Sequence, residues 1–340
     1  MEKWVIVNPA AGRGKVGRLS GAILKAARQE GAKAFLTEGP GHATELAQRA
    51  PEGARVVAVG GDGTVHEVLR GLAGTDKVLG VVPIGSGNDF ARMLGLLGLP
   101  WPKALELALH APEEAVDLGW VNGEPFGASL GIGFDALVAK KALSAPPFLR
   151  GMPRYLYALF AVLKDLRLPE GRVLVDGEEV YQGPLLLLAA MNGPMYGGGI
   201  PIAPMADPRD GRLSVVLAGE FSRMGVVLIL PRLLLGRHLS HPGCGRTRGR
   251  RWRWSSPIPF PPTRTGSFCP RPPSTGPRSG LWGLGWWGGG RAFRRGRFRL
   301  GPRGPRGLLP GGEEVPGSVL EPGAARRRCA RPRPRRRCGS

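Results

Sequence analysis

The chain has 340 residues and a formal net charge of +22 at pH 7, but this charge is unevenly distributed. Residues 241–340 contain 23 Arg, no Lys, no Asp and three Glu, so they carry +20, whereas residues 1–240 carry only +2. All four cysteines lie after residue 240 without a CxxC pair, which argues against a zinc site. The apolar run at 226–235 is too short to span a bilayer. Residues 1–240 therefore have the composition of an ordinary globular protein, and the net charge gives no reason to call them nucleic-acid binding.

The segment 239–340 is rich in Arg, Gly and Pro and shows no hydrophobic period of 2 or 3.6 residues. Three interpretations stay open. It is a disordered basic arm for nucleic acid or anionic lipid, a natural low-complexity extension, or a GC-rich gene translated out of frame. Each of them predicts about 100 residues of irregular structure.

Apolar β-branched segments alternate with helical patterns in the first 110 residues. The predicted strands are Trp4–Val7, Ala32–Thr37, Arg55–Val59 and Val78–Val82. The predicted helices are Arg18–Gln29, Gly41–Arg49, Val65–Leu72 and Pro102–Leu109. This alternation predicts a doubly wound α/β domain with a parallel sheet, whose ligands bind at the carboxyl ends of the strands.

After about residue 115 the pattern changes to strands with hairpin signals. The predicted strands are Val116–Val121, Pro125–Leu130, Arg172–Val175, Leu185–Met191 and Leu213–Leu217. Helices are expected at Met152–Leu166 and Met224–Gly236, and Asp-Gly pairs at 176–177 and 210–211 indicate turns. We expect a second domain that is an antiparallel β-sandwich, with a cleft between the two domains.

Three glycine-rich loops, 8–15, 58–67 and 83–92, follow the first, third and fourth predicted strands and so meet at one sheet edge. Their backbone N–H groups suit a phosphate, and hydroxyls at positions 37, 64 and 86 add donors. Arg13 and Lys15 supply positive charge, while Asp62 and Asp89 suit the Mg²⁺ of a nucleotide or its water shell. Thr64 has the position of a helix N-cap, with Glu67 at capping-box spacing. Tight turns and helix caps in any α/β protein would explain the same residues.

The motifs 7–12, 60–64 and 83–91 resemble, in order and spacing, the diacylglycerol kinase catalytic-domain family. Within it, the chain is similar to the bacterial soluble diacylglycerol and phosphatidylglycerol kinase-like proteins, and the sphingosine kinases share the domain. The likeness continues through the motifs 129–136, 192–199 and 203–211 and covers about residues 3–238.

The resemblance implies a domain order: 1–120 is an NAD kinase-like α/β nucleotide-binding domain, 121–238 an incomplete β-sandwich for substrate and metal, and 239–340 the tail. It implies ATP and Mg²⁺, with the γ-phosphate passing to the hydroxyl of a diacylglycerol-like lipid. The implied nucleotide-binding residues are Asn8, Pro9, Ala10, Ala11, Gly12, Thr37, Gly61, Asp62, Gly63, Thr64, Val65, His66, Glu67 and Ser86. The implied metal ligands are Asp210 through its side chain, with backbone oxygens near Asp207 and Arg212.

One departure concerns the catalytic base. The family carries a late Asp-Gly-Glu triplet whose Glu is proposed as the base, yet the triplet of this chain, 176–178, precedes the 192–199 loop and lies in an earlier hairpin. The catalytic residues are therefore unassigned, with Asp62 and Asp89 as supporting carboxylates, and a kinase crippled by loss of the normal C-terminus is expected if the tail is genuine. The alternatives are an NAD kinase-like small-molecule kinase and a basic protein that binds nucleic acid through its tail.

A lipid substrate implies a membrane surface as partner. We expect a cytoplasmic protein that contacts the inner face of the membrane peripherally, through the apolar loop 146–149 or the helix 152–166. A homodimer is left open.

Overall fold

The computed structural model describes residues 1–250 apart from 122, 147, 150 and 151, and the strands at 252–255 and 297–300. The chain divides into two compact units, 1–306 and 307–340, and every element below belongs to the first. Most of the arginine-rich tail, and with it the prediction that the tail is irregular, lies outside the described residues.

The first lobe is the predicted α/β domain. Its elements are β1 (Lys3–Val7), α1 (Lys15–Gln29), β2 (Lys33–Leu36), α2 (His42–Arg49), β3 (Arg55–Gly60), α3 (Asp62–Leu72), β4 (Val78–Pro83), α4 (Asp89–Met93), α5 (Trp101–His110) and β5 (Glu114–Asp117). The strands β2, β1, β3 and β4 pair in that order, and all three pairings are parallel.

The central strand β3 explains why helices cover both faces of this sheet. All six of its residues are buried, and successive side chains point to opposite faces. Val56 and Ala58 pack in one cluster with α2 and α3, while Val57 and Val59 pack in another with α1 and α5. A strand buried on both faces reads as a continuous apolar run, as the 55–59 segment does.

The second lobe is largely antiparallel, and the two-domain fold class is confirmed. Its elements are β6 (Gly119–Val121), β7 (Glu124–Phe126), β8 (Ser129–Gly133), α6 (Phe134–Leu143), α7 (Met152–Lys164), β9 (Glu170–Val175), β10 (Glu178–Pro184), β11 (Leu187–Met191), β12 (Leu213–Ala218), α8 (Arg223–Leu234), β13 (Cys244–Gly249) and β14 (Trp252–Ser255). A further strand, β15 (Arg297–Leu300), belongs to the sheet of the first lobe. One sheet has the order β13-β12-β11-β8, and a second has the order β10-β9-β14.

Two sequence-based expectations in this lobe were wrong in detail. The segments 116–121 and 125–130 each divide between two strands rather than forming one. The helix α6 was not predicted, although Phe134, Val138 and Ala142 recur at four-residue spacing and are all buried in one cluster.

Strand pairing also continues past residue 238, where the change in composition predicted the end of the sandwich. The strand β13 pairs with β12 along its whole length, from Leu213 opposite Gly249 to Ala218 opposite Cys244. The strand β14 pairs with β9, and β15 joins the first sheet between β4 and β5. An arginine-rich segment can still form strands, because backbone hydrogen bonds and not apolar side chains make the ladder.

Among the described residues, the structure contains no helix with both the length and the apolar character needed to cross a membrane.

Candidate functional site

The glycine-rich loops after β1, β3 and β4 are in direct backbone contact. A Cβ on Gly85 would lie 2.4 Å from the Cα of Gly61, and a Cβ on Gly12 would lie 2.3 Å from the carbonyl oxygen of Ile84. Gly12 also has a φ of +60°, which favours glycine. Three loops that are separate in sequence therefore form one surface, which requires glycine at these contacts.

Asn8 ties the first loop to the start of α3. Its Nδ2 donates to Thr64 Oγ1 at 3.0 Å, and its Oδ1 accepts from the N–H of Ala10 at 3.0 Å. Thr64 is buried, and its side chain lies so close to Gly60 that a Cβ there would be 2.4 Å from Oγ1. The predicted N-cap at Thr64 is thus wrong: α3 begins three residues earlier than predicted, Gly61 is its N-cap, and Thr64 fixes the loop instead.

The first turn of α3 has no side-chain cap. The helix runs for 11 residues from Asp62, and its first hydrogen-bonded N–H is that of Val65, which donates to the Gly61 carbonyl. The preceding N–H groups have no partner within the helix and lie at the positive end of its dipole. Beside them, a Cβ on Gly63 would meet nothing within 4 Å. This combination of free donors and open space is what an anionic phosphate requires.

Two carboxylates border Gly87 at the same edge. The position that a Cβ of Gly87 would take is 3.0 Å from Asp62 Oδ2 and 3.7 Å from Asp89 Oδ2. Burial first, and then the charge of Asp62, raises the pKa of Asp89 to about 6, although N–H groups of Gly197 and Gly198 and the charge of Arg92 act in the opposite direction. Asp62 itself accepts from the N–H of Phe90 at 3.2 Å.

The second lobe contributes the loop 193–199 to this region. The N–H of Gly198 donates to Asp89 Oδ1 at 2.9 Å. A Cβ on Gly193 would be 2.6 Å from the Met93 side chain, and one on Gly199 would be 3.4 Å from the Arg92 guanidinium. The loop therefore lies against α4, at the junction of the two lobes.

Arg92 is a candidate site residue that the sequence analysis did not single out. Its Nε is buried and has no hydrogen-bond partner among the described residues. It follows the 83–91 motif by one residue, but its relation to the 193–199 loop depends on contacts about a hundred residues away in sequence. A guanidinium with unused donors beside two phosphate-type loops is suited to bind an anion.

A hydrogen bond to α6 holds the 193–199 loop in place. The Tyr196 hydroxyl donates to Asp135 Oδ2 at 2.9 Å. Asp135 retains some exposure as a residue, but its Oδ1 is buried without a hydrogen-bond partner among the described residues. Burial raises the pKa of Asp135 to about 6, and burial together with the Asp135 charge raises the pKa of Tyr196 well above its usual value.

The other residues implied for nucleotide binding differ in their burial. Ala10 and Ser86 are exposed, whereas Val65 is buried in the core. Thr37 is buried at the end of β2, where its N–H donates to the Val7 carbonyl at 2.9 Å. Burial lowers the pKa of His66 to about 4, so this imidazole is neutral at pH 7. Pro9, Ala11 and Glu67 are half-buried at the same loops.

The residues implied as metal ligands lie in the connection between β11 and β12. Asp207 Oδ1 accepts from the N–H of Arg209 at 3.0 Å, and Asp210 Oδ1 accepts from the N–H of Arg212 at 2.9 Å. The second oxygen of Asp210 lies 3.6 Å from Arg248 Nη1. The described residues contain no group of three or more His, Cys, Asp or Glu arranged to hold a metal. Because the Asp210 carboxylate, the one side chain in the implied set, already faces the Arg248 guanidinium, this donor set as arranged here does not fit a resident Mg²⁺.

With this geometry in place, two family models account for most of the described chain. The diacylglycerol kinase catalytic domain matches residues 2–121, and the YegS C-terminal NAD kinase beta sandwich-like domain matches residues 128–273. The chain belongs to the diacylglycerol kinase family. This confirms the resemblance and classes the chain with the lipid kinases, phosphotransferases that have an alcohol acceptor. The second match also extends beyond residue 238, in agreement with the pairing of β13 and β14.

Curated relatives agree with this membership. A diacylglycerol kinase of Mycobacterium tuberculosis (strain CDC 1551 / Oshkosh) is 32% identical over 254 residues, which are 72% of this chain and 82% of the relative. A probable lipid kinase YegS-like of Chromohalobacter salexigens is 34% identical over 233 residues, 66% of this chain and 73% of the relative. A solved structure of a putative diacylglycerol kinase from Bacillus anthracis str. Sterne has a TM-score of 0.60 at 21% identity, over 78% of this chain and 91% of that chain, and supports the fold alone.

The early Asp-Gly-Glu triplet is a turn in this member of the family. Asp176 and Gly177 have φ of 53° and 96°, the left-handed values that a tight hairpin between β9 and β10 needs. Asp176 accepts from the N–H of Arg250 at 2.9 Å and 3.1 Å through its two oxygens. Its contacts are those of a structural turn, and residues 192–340 contain no later Asp-Gly-Glu triplet.

Proposed function

We propose that this chain transfers the γ-phosphate of ATP to the hydroxyl of a diacylglycerol-like lipid. The observation that carries the proposal is the contact among the three glycine-rich loops beside the uncapped first turn of α3. ATP binds there as its Mg²⁺ complex, with its phosphates on the free N–H groups near Gly63. Mg²⁺ belongs to the nucleotide substrate and neutralises charge on the phosphates.

The lipid hydroxyl approaches between Asp89 and Arg92. Arg92 binds the transferred phosphoryl group through its guanidinium, which lies beside Gly199 at the junction of the lobes. Asp89 accepts the proton of the attacking hydroxyl, since a carboxylate with a pKa of about 6 is ionised at pH 7 yet more basic than an ordinary Asp. The charge of Asp62 is the second cause, after burial, of the raised pKa of Asp89. The early triplet takes no part in this reaction, and Asp89 supplies the base that a late Asp-Gly-Glu would otherwise provide.

Exposed apolar side chains on the second lobe support a lipid substrate. Phe148 is 79% exposed, and α7 exposes Leu156 and Phe160 while its buried face packs in one cluster with α6 and α8. On α8, Leu228 is 71% exposed. Large exposed apolar side chains on neighbouring helices are typical of a surface that meets a membrane. We propose a peripheral contact at the cytoplasmic face through this surface.

The alternative functions have less support. An NAD kinase-like activity shares the fold, but the curated relatives above are named for lipid substrates. Nucleic-acid binding through the tail has no supporting contact in the described part of the chain. Neither the structure nor the comparisons bear on a homodimer.

The test is transfer of radiolabelled γ-phosphate from ATP to diacylglycerol in phospholipid vesicles, followed by extraction of the lipid. We expect labelled lipid with the wild-type chain, almost none with Asp89→Asn, and full labelling with the control Gly21→Ala, whose position on α1 is remote from the loops. Label in NAD⁺ instead of lipid would favour the NAD kinase alternative. A wild-type chain that binds ATP but labels no lipid would contradict the proposal.

A further inference from the structure

The connection between β11 and β12 brings oxygen acceptors together without a metal cluster. The Asp207 and Asp210 side chains each use one oxygen to accept a backbone N–H two residues ahead. The same connection is fixed to the end of β5, because the Asp117 N–H donates to the Pro208 carbonyl at 2.7 Å and the Gly211 N–H donates to Asp117 Oδ2 at 2.5 Å. These contacts leave the second oxygen of each carboxylate, and that of Asp210 faces the neighbouring strand β13.

Arg248 reaches this oxygen from the neighbouring strand. Its Nη1 lies 3.6 Å from Asp210 Oδ2, and its Nη2 donates to the carbonyl oxygen of Met205. The position of Arg248 is fixed by the β12–β13 ladder, where it stands opposite Ser214. One guanidinium thus bridges a carboxylate and a backbone carbonyl of the same loop. These are the acceptor types that a hard divalent cation would otherwise bind.

The surrounding charge also opposes a metal ion. Arg246 and Arg248 are two residues apart in β13, so their side chains leave the strand on the same face, and Arg250 follows just after its end. A cleft of about 450 Å³ is lined by Arg212, Arg248, Arg250 and the single carboxylate of Asp176. Three guanidinium groups around one carboxylate make the potential of this cleft positive, and Arg248 belongs both to the cleft and to the contact with Asp210.

We propose that Arg248 is a built-in cation that replaces Mg²⁺ at Asp210, so that the loop 205–210 is held without a metal. The guanidinium neutralises the carboxylate and satisfies the Met205 carbonyl from within the chain. Removing it leaves the acceptors unpaired and recreates a site that Mg²⁺ or Mn²⁺ can occupy. This inference concerns the free protein and does not depend on the proposed transfer reaction.

The first measurement uses the wild-type chain. The protein is titrated with micromolar Mn²⁺ in the absence of nucleotide, and free Mn²⁺ is measured by electron paramagnetic resonance. We expect no Mn²⁺ bound to the protein. An equivalent of Mn²⁺ that binds to wild type and is lost in Asp210→Asn would overturn the proposal. Because this experiment needs no variant at 248, it stays informative if such variants fail to fold.

The second measurement compares Arg248→Met with Arg246→Met, a matched control on the same strand and face. The melting temperature of each full-length protein is recorded in chelator and in millimolar MgCl₂, with NaCl added to equalise ionic strength. We expect the melting temperatures of wild type and Arg246→Met to be the same with and without Mg²⁺. The melting temperature of Arg248→Met should be several degrees lower in chelator and should return toward that of wild type with Mg²⁺. Equal Mg²⁺ responses in all three proteins, or an Arg248→Met protein that neither loses stability nor responds, would refute the role of Arg248.

Discussion

Replacement of Gly63 by alanine separates folding from nucleotide binding at the α3 loop. Gly63 is exposed, has no positive φ, and offers open space where a Cβ would stand. Alanine should therefore be accommodated in the free protein. The same open space is where we place a phosphate of ATP, so the added methyl group should obstruct the ligand and leave the fold intact.

The position of Gly63 sets the expected changes in stability and in ATP affinity. Alanine in place of glycine stabilises a helix interior by about 1 kcal/mol, and less in the first turn. An extra methyl group in a close contact costs about 1–3 kcal/mol, which corresponds to binding weakened by about 5- to 150-fold. ATP at about 100 times its Kd stabilises a protein by about 2.7 kcal/mol, and a hundredfold loss of affinity reduces this to about 0.4 kcal/mol.

The assay is thermal unfolding of each protein with and without MgATP. Gly21→Ala is the matched control, because Gly21 is an exposed glycine on α1 whose Cβ would also meet nothing within 4 Å. We expect both variants to be at least as stable as wild type without ATP, and only Gly63→Ala to lose the ATP-dependent rise in melting temperature. A full rise in Gly63→Ala would refute the placement of the phosphate, and a loss in Gly21→Ala would show that the effect is not local.

Three further predictions concern charge and capping. With Asp89 as proton acceptor, the rate of transfer should fall as the pH drops through about 6. Asp62→Asn should move the acidic limb of the pH–rate profile to lower pH, because the Asp62 charge raises the pKa of Asp89. An acidic limb that does not move in this variant would belong to another group. Folding raises the pKa of Asp135 to about 6, so between about pH 4 and 6 the folded protein holds a proton that the unfolded chain has lost. The free energy of unfolding should therefore fall with rising pH across that window, by at most about 3 kcal/mol. Urea unfolding at several pH values should show this decrease in wild type and not in Asp135→Asn. Ser222 caps α8 by accepting from the Gly225 N–H at 3.0 Å, so Ser222→Ala should lower the free energy of unfolding by about 1 kcal/mol and Ser222→Thr by much less.

The α/β lobe could be predicted from sequence because its signals are local. Strands such as β3 are short apolar runs bounded by glycine, and the carboxyl ends of parallel strands necessarily share one edge. The meeting of the glycine loops follows from that rule alone. Glycine at 61 and 85 is needed only because the two backbones touch, a contact that no local pattern could reveal.

The second lobe was predicted less well, because other signals masked its periodicity. The helix α6 begins inside a glycine-rich motif, and the preceding strand pattern hides its start at Phe134. In β13, arginine and small residues alternate, so the period of 2 is present in charge and not in hydrophobicity. A search restricted to apolar periods ends the sandwich too early, near residue 238.

The missed site residues share a different cause, since each acquires its role from a partner distant in sequence. Arg92 becomes a candidate phosphate ligand because Gly199 packs beside it. The Arg248 guanidinium lies beside the Asp210 carboxylate because β13 pairs with β12 in one register. A one-residue slip of that register would move the arginine to the opposite face of the sheet. Sequence analysis can identify the residue types in such cases but not the pairs they form.

The junction of the lobes gives Asp89 two roles that constrain each other. Its Oδ1 accepts the Gly198 N–H, so the carboxylate that we propose as proton acceptor also joins the nucleotide lobe to the loop of the second lobe. Protonation of Asp89 would weaken this charge-assisted hydrogen bond at the same time as it removes the base. Loss of activity below about pH 6 should then be accompanied by looser packing of the 193–199 loop, which hydrogen exchange at the Gly198 amide can detect. If exchange at that amide were unchanged while activity fell, the hydrogen bond would contribute nothing to holding the lobes together, and Asp89 would act only as the base.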